Sequence, residues 1–191
     1  MILFKRTSQR YWPARRTAGF TLLELMISVG VAAILLTIGV PSFRYVTKSN
    51  HSSAEINGLL GDMQFARGEA IREGQNVTIC ASSNGATCNG TINWHDGWIV
   101  FSGTSPPGPA VGSIQKIQPG FSTTDTLTAD NAIKQVVFSR EGFTASLPGA
   151  VTFTLHDSTA NPQFTRCLSA TIVGALSTQI GGKLTAENNP C

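Results

Sequence analysis

The stretch Gly19-Phe20-Thr21-Leu22-Leu23-Glu24-Leu25-Met26 opens an apolar run that extends to Val40. Residues 20–40 contain no lysine or arginine. As a helix they would be about 31 Å long, which is enough to cross the hydrocarbon core of a bilayer. Glu24 lies one helical turn into this run, and a carboxylate at the centre of a lipid-embedded helix costs roughly 2.5–3.5 kcal/mol. We therefore expect the acid to be paired with a cation.

The positive charge of the chain is concentrated before the apolar run. The basic residues there are Lys5, Arg6, Arg10, Arg15 and Arg16. The chain has 14 basic and 11 acidic residues, and without residues 1–19 nine basic residues remain against the 11 acids. The basic excess predicts a cytoplasmic N-terminus with the remainder of the chain outside. It gives no support for a nucleic-acid partner.

The apolar run is longer than the 7–15 residues typical of a secretory signal, so residues 20–42 are predicted to be a transmembrane helix. Pro41 falls at its end and cannot donate a hydrogen bond to the Thr37 carbonyl. We expect the helix to loosen or kink there. A simpler interpretation is that Pro41 marks the membrane exit.

Residues 43–74 continue as an amphipathic helix. Its apolar face repeats at the i, i+3, i+4, i+7 spacing of a helix packed on a soluble core. The members of this face are Ile56, Leu59, Leu60, Met63, Ala66, Ala70 and Ile71. Ser52 and Glu55 have the spacing of a capping box, which allows a break near residues 49–53. The alternative is one helix from Phe20 to about Glu73.

Residues 75–191 form a predicted β domain. Short β-rich runs are separated by turn pairs such as Asn84-Gly85 and Asp96-Gly97, and spacings this short exclude βαβ crossovers. The predicted strands are Val77–Ala81, Trp98–Ser102, Ile114–Ile117, Gln135–Ser139, Val151–Leu155 and Cys167–Val173. Loops are predicted at residues 106–109 and 119–133. The fold class is α+β, with a long N-terminal helix packed on a mainly antiparallel sheet.

The four cysteines are Cys80, Cys88, Cys167 and Cys191. An even count after a membrane-targeting segment favours two disulfides in an oxidising compartment. Three connectivities are open. Sequence proximity favours pairing Cys80 with Cys88 and Cys167 with Cys191.

The soluble part shows no catalytic constellation, since it lacks the G-x-S-x-G, H-E-x-x-H and phosphate-loop motifs. No enzyme activity, cofactor or metal is predicted. The three histidines share no ligand spacing and are interpreted as surface residues; they are His51, His95 and His156. Trp94 and Trp98 are expected to pack in the core rather than to form a binding platform. Asp125 and Asp130 lie in loop-like sequence and are expected to be solvated.

The segment Gly19–Glu24, the apolar run and Pro41 together resemble the processing site and helix of type IV pilins and pseudopilins. Three later segments resemble the GspH/FimT/FimU group of minor pilins and pseudopilins. These segments are 66–72 (ARGEAIR), 77–80 (VTIC) and 96–101 (DGWIVF). The resemblance covers nearly the whole chain.

This resemblance implies a maturation pathway. A membrane-embedded prepilin peptidase would remove leader residues 1–19 by cutting between Gly19 and Phe20, and would then N-methylate Phe20. The acid at the position of Glu24 pairs in this family with the N-terminal amine of a neighbouring subunit. Methylation leaves that amine basic, so the pair solves the electrostatic problem of an acid in lipid.

The resemblance also implies the partners and the location. The leading interpretation is a minor pilin in the tip or priming complex of a type IV pilus. It would reside in the inner membrane before assembly and on the cell surface afterwards, with major and minor pilins as its partners. One alternative is a minor pseudopilin of a type II secretion system.

Another alternative is a DNA-binding pilin for natural transformation. Binding members of the group carry a Gly-Arg-x-Arg element. The matching segment, Gly174-Ala175-Leu176-Ser177, has neither arginine, and only Arg166 and Lys183 are basic between residues 141 and 191. DNA is therefore a less favoured partner.

Overall fold

A computed structural model describes residues 19–104, 108–110, 112–159, 161–181 and 191. The expectations placed on residues 1–18, 106–107 and Lys183 lie outside the described residues. The chain divides into two compact units, one ending at Phe43 and the other running from Arg44 to Cys191.

One helix, α1, runs from Leu22 to Glu73, with Pro41 inside it. The break that the capping-box spacing allowed near residues 49–53 does not occur, and the continuous alternative is correct. Ser52 and Ser53 donate their hydroxyls to the carbonyls of Lys48 and Ser49, four residues earlier, instead of capping a new helix. Ser52 is fully buried, so tertiary packing keeps this part of the helix regular.

The β domain contains eight strands in two antiparallel sheets of four. The strands are β1 (Val77–Ala81), β2 (Gly97–Ser102), β3 (Ile114–Pro119), β4 (Thr126–Ala129), β5 (Gln135–Phe138), β6 (Val151–His156), β7 (Arg166–Ala170) and β8 (Leu176–Ile180). The first sheet has the order β3-β2-β1-β5 and the second β4-β6-β7-β8. A single 3₁₀ turn, Trp94–Asp96, precedes β2 among the described residues. The predicted α+β fold with an antiparallel sheet is confirmed.

Two strands were missed from the sequence. β4 falls inside the predicted loop 119–133, and β8 follows the last predicted strand. β4 is only four residues long, and β8 is mostly exposed at the edge of its sheet. Neither has the apolar content that marks a strand in isolation, so their pairing with β6 and β7 determines them.

The main core lies between the C-terminal half of α1 and the two sheets. The helix contributes buried Ile56, Leu59, Met63, Ala66 and Ala70. Leu60 is only partly buried and Ile71 is 53% exposed, so the predicted apolar face was slightly too wide. The sheets complete the core with side chains such as Ile79, Val100, Phe138, Phe153 and Leu168.

Trp94 and Trp98 both belong to this core, as expected. Trp94 packs edge-on against Phe153, with ring centroids 5.0 Å apart. Trp98 packs against Phe121 and donates its indole N–H to the buried Asp62 carboxylate at 2.8 Å. They are therefore not an exposed aromatic platform.

Two disulfides are present, and all four cysteines take part. Cys80 on β1 is bonded to Cys88, with Cα atoms 5.6 Å apart. Cys167 on β7 is bonded to Cys191, with Cα atoms 5.8 Å apart. This is the pairing that sequence proximity favours.

Candidate functional site

The candidate site is the N-terminal end of α1, where the predicted cleavage point and Glu24 lie together. Thr21 caps the helix. Its hydroxyl accepts a hydrogen bond from the Glu24 N–H at 3.2 Å, and its carbonyl accepts one from the Leu25 N–H at 3.1 Å. Gly19 and Phe20 precede this cap and are exposed. The predicted cleavage point is therefore outside the helical hydrogen-bond ladder, in backbone that a peptidase can bind.

The Thr21 cap was not predicted. Its signal was present in the sequence, because Thr21 and Glu24 have the T-x-x-E spacing of a capping box. The cap leaves Glu24 in the first turn of α1. A negative charge is favourable there, because the unpaired N–H groups give this end of a helix a partial positive charge.

Hydroxyl groups in the apolar half of α1 bond to the helix itself. Ser28 donates to the Glu24 carbonyl at 2.7 Å, and Thr37 donates to the Ile34 carbonyl at 2.7 Å. The Glu24 carboxylate differs from them, since the structure gives it no hydrogen bond or ion pair among the described residues. Among the described residues of a single chain, the negative charge of Glu24 is therefore uncompensated.

The side chains around Glu24 are apolar and exposed. Exposed large apolar side chains run from Phe20, just before α1, along the helix to Val40 and Phe43. Among the described residues, one helix, α1, is long and apolar enough to cross a membrane. A surface of this kind is stable in lipid or against other apolar helices, but not in water.

Residues in the segments that resemble the GspH/FimT/FimU group have structural roles. Gly97 has a φ of +110°, and a Cβ there would lie 2.6 Å from the Gln118 carbonyl oxygen and 2.9 Å from that of Ser82. Only glycine fits this close approach, which begins β2. Arg67 donates to the Gly142 carbonyl at 2.9 Å, tying α1 to the loop after β5.

Polar contacts also join α1 to the second sheet. The buried Arg166 of β7 donates to the hydroxyls of Ser49 and Ser53. Lys48 Nζ lies 2.5 Å from the Asp157 carboxylate and 5.0 Å from the Phe164 ring centroid. The cationic groups of Lys48 and Arg166 are therefore engaged within the protein rather than left for a nucleic acid to contact.

The pKa of Asp157 follows from this contact. Burial acts to raise it, but hydrogen bonds from Lys48, Thr159 and the Asn161 backbone N–H outweigh burial and lower it to about 2. Asp157 therefore stays ionised throughout the neutral range and keeps Lys48 bound to it.

The segment matching the DNA-binding element begins in the turn before β8 and ends in the first two residues of that strand, Leu176 and Ser177. Gly174 has a φ of +75°, and a Cβ there would lie 2.2 Å from the Gly142 carbonyl oxygen. The segment contains no basic side chain, and Arg166 is only 6% exposed. The described part of this region therefore offers little to neutralise phosphates.

One expectation about polar residues is wrong. Asp125 is buried rather than solvated, and His51 lies beside it and Glu55. The i, i+4 spacing of His51 and Glu55 was visible in the sequence. The approach of Asp125 depends on the tertiary fold. Asp130 accepts a hydrogen bond from the Thr152 N–H at 2.9 Å, so it too has a structural partner.

Two family models match the chain. The model described as "Type II transport protein GspH" covers residues 55–174, and the "Prokaryotic N-terminal methylation motif" covers residues 14–40. A search of curated proteins gave no match.

The fold is similar to that of a solved minor pilin. Two crystal forms of the type IV minor pilin FimU from Pseudomonas aeruginosa align at TM-scores of 0.52 and 0.55 and 20% identity. They cover 68% and 72% of this chain and 91% and 92% of FimU. Together with an exposed apolar helix and a two-sheet β domain, the family match leads to one conclusion: the chain belongs to the GspH family, has a pilin-like fold and carries a prokaryotic N-terminal methylation motif.

Proposed function

We propose that this protein is a minor pilin that enters a type IV pilus through the apolar half of α1. The observation that carries the proposal is the uncompensated Glu24 carboxylate one turn from the predicted new N-terminus at Phe20. Cleavage after Gly19 would create a cation on each subunit, and Glu24 of a neighbouring subunit would provide its anion. In the low dielectric of packed apolar helices, such a pair is strongly favoured over either charge alone.

The proposal gives each segment a role. Residues 1–19 are a leader that the prepilin peptidase removes. Residues 20–42 anchor the subunit in the inner membrane before assembly, and residues 43–74 connect the anchor to the β domain at 75–191. The filament would then remove the apolar surface from lipid by packing it against the corresponding helices of other pilins.

Processing is tested with the variant Gly19→Leu, expressed with the peptidase and pilus system. A side chain at this position would block cleavage, so the variant should keep its leader, migrate more slowly on a gel and be absent from sheared pili. The matched control is Gly30→Leu, the same replacement inside the apolar helix, where no Cβ clash arises in the single chain. Normal cleavage of Gly19→Leu would overturn the proposed processing site.

A second candidate function is that of a minor pseudopilin in a type II secretion system. The description of the matched family, a type II transport protein, favours it. Both functions use the same helix and the same processing step. Deleting the gene distinguishes them: a minor pilin should affect piliation while leaving exoprotein secretion intact, and a pseudopilin should do the reverse.

A further inference from the structure

Three titratable side chains lie close together in the unit that runs from Arg44 to Cys191. Two of them are on α1 and the third is in the loop before β4. His51 and Glu55 are one turn apart on the helix, and Asp125 immediately precedes β4. His51 Nδ1 is 3.4 Å from Glu55 Oε1 and 3.7 Å from Asp125 Oδ2. One ligand atom from each residue lies within 4.8 Å of the other two.

The two acids of this cluster are largely removed from water, unlike the members of a surface acidic cluster. The Glu55 and Asp125 side chains are 11% and 10% exposed. Glu55 Oε2 is buried and has no hydrogen-bond partner among the described residues. Thr123 satisfies only the other oxygen, donating to Oε1 at 3.2 Å. A buried carboxylate oxygen without a donor is costly, so a positive group is expected beside it.

The Glu55 and Asp125 carboxylate oxygens lie within 4.8 Å of each other. Like charges at this distance repel, so a cation between them would be stabilising. The imidazole of His51 adds a third ligand of the type that transition metals bind.

We propose that His51, Glu55 and Asp125 form a binding site for a divalent transition-metal cation, with Zn²⁺ as the best fit. Ligands about 2.0–2.1 Å from a tetrahedral ion are separated by roughly 3.4 Å, close to the two histidine distances in the cluster. One nitrogen and two carboxylate oxygens suit Zn²⁺ better than Ca²⁺, which takes six to eight oxygen ligands. His51 is 45% exposed, so water can reach the site and complete the coordination.

The cation would link α1 to the loop between β3 and β4. Phe121 of this loop packs against Trp98, and a groove beside it is lined by Ala54, Glu55 and Gly58. Binding would hold the loop against the helix. We therefore expect the ion to stabilise the folded domain through linkage.

The test uses the full chain in detergent micelles, treated with EDTA and then dialysed. Isothermal titration with ZnCl₂ at pH 7.5 should give one site per chain, and Zn²⁺ should raise the melting temperature. The variants His51→Gln, Glu55→Gln and Asp125→Asn should each weaken Zn²⁺ binding roughly tenfold or more. CaCl₂ should bind more weakly than ZnCl₂.

The matched control is His156→Gln, which removes an imidazole outside the cluster and should bind Zn²⁺ as the parent does. Absence of Zn²⁺ binding by the parent, or equal losses in His156→Gln and His51→Gln, would overturn the proposal. Melting curves without metal show whether each variant is folded. His51→Gln decides the question if the buried-acid variants unfold, because His51 is the most exposed member of the cluster.

Discussion

The two halves of α1 have the same secondary structure but opposite surroundings. From Leu22 to Val40 the large apolar side chains are exposed, whereas Ile56, Leu59 and Met63 are fully or almost fully buried in the core. The first half carries one uncompensated acid, Glu24. The second half carries several polar groups that bond to the β domain, among them Asp62, Arg67 and Glu73. The apolar surface of the second half is thus buried by the chain's own fold, whereas that of the first half requires lipid or further subunits.

This contrast shows that helix formation and helix burial are separate problems. The first half is helical because its own backbone bonds and apolar composition favour a helix in lipid. The second half contains Gly58, Gly61 and Gly68, each of which weakens a helix by about 1 kcal/mol relative to alanine. Its regularity depends on packing against the β domain.

The largest expected change in stability is tested by making the same leucine-to-alanine substitution once in each half of α1. Leu59→Ala removes a fully buried side chain and should lower the free energy of unfolding by about 2–5 kcal/mol. Leu35→Ala changes an exposed side chain and should alter domain stability by less than about 0.5 kcal/mol. Denaturant unfolding followed by tryptophan fluorescence measures both. Equal losses would contradict the division of α1 into two differently supported halves.

Removing the disulfides one at a time should have a slightly smaller effect. Cys191→Ser opens a link across 24 residues and Cys88→Ser one across 8. Chain entropy predicts losses of about 3.5 and about 2.5 kcal/mol, respectively. Because Cys167 is next to Arg166, which bonds to α1, the longer link also supports the helix contact. Thermal melting with and without reductant provides the comparison, and the reverse ranking would count against this account.

Much of the fold follows from the sequence because its strongest signals are local. The apolar run, the amphipathic repeat and six strands were visible as composition and period. The unbroken helix at residues 49–53 was not decided by sequence, because local capping signals at Ser52 competed with burial that only the folded domain supplies. β4 and β8 were missed because pairing, rather than their own side chains, defines them.

The features of the candidate sites were likewise visible in the sequence only where their signal was local. Glu24 was singled out because an acid in an apolar run is conspicuous, and its role in assembly stays a prediction. The Thr21 cap was detectable from its spacing. The cluster of His51, Glu55 and Asp125 was not predicted, since it joins residues 70 positions apart through a loop. The cleavage and methylation of Phe20 stay predictions, because they describe what a peptidase does to the chain.

The smallest expected effect concerns pH and the buried half of the helix. Burial and then the neighbouring Asp125 carboxylate raise the folded-state pKa of Glu55 from its ordinary value of 4.5 to about 7. The unfolded state therefore loses this proton more readily, so the stabilisation is complete below about pH 4.5 and is lost as pH rises through 7. In EDTA, Glu55→Gln should reduce the loss of melting temperature between pH 5.5 and 8.5 by a few degrees. Glu141→Gln, an exposed acid, serves as the control, and identical pH profiles for Glu55→Gln and the parent would contradict the prediction.

The most direct test of the central claim is mass spectrometry of this chain in sheared pili. If the apolar half of α1 is completed by other subunits through a processed N-terminus, the pilus-associated chain should begin at Phe20 and carry one added methyl group on its amine. The Glu24→Gln variant should be processed in the same way but be depleted from the pili. Recovery from pili of a chain that still contains residues 1–19, or undiminished incorporation of Glu24→Gln, would contradict the account.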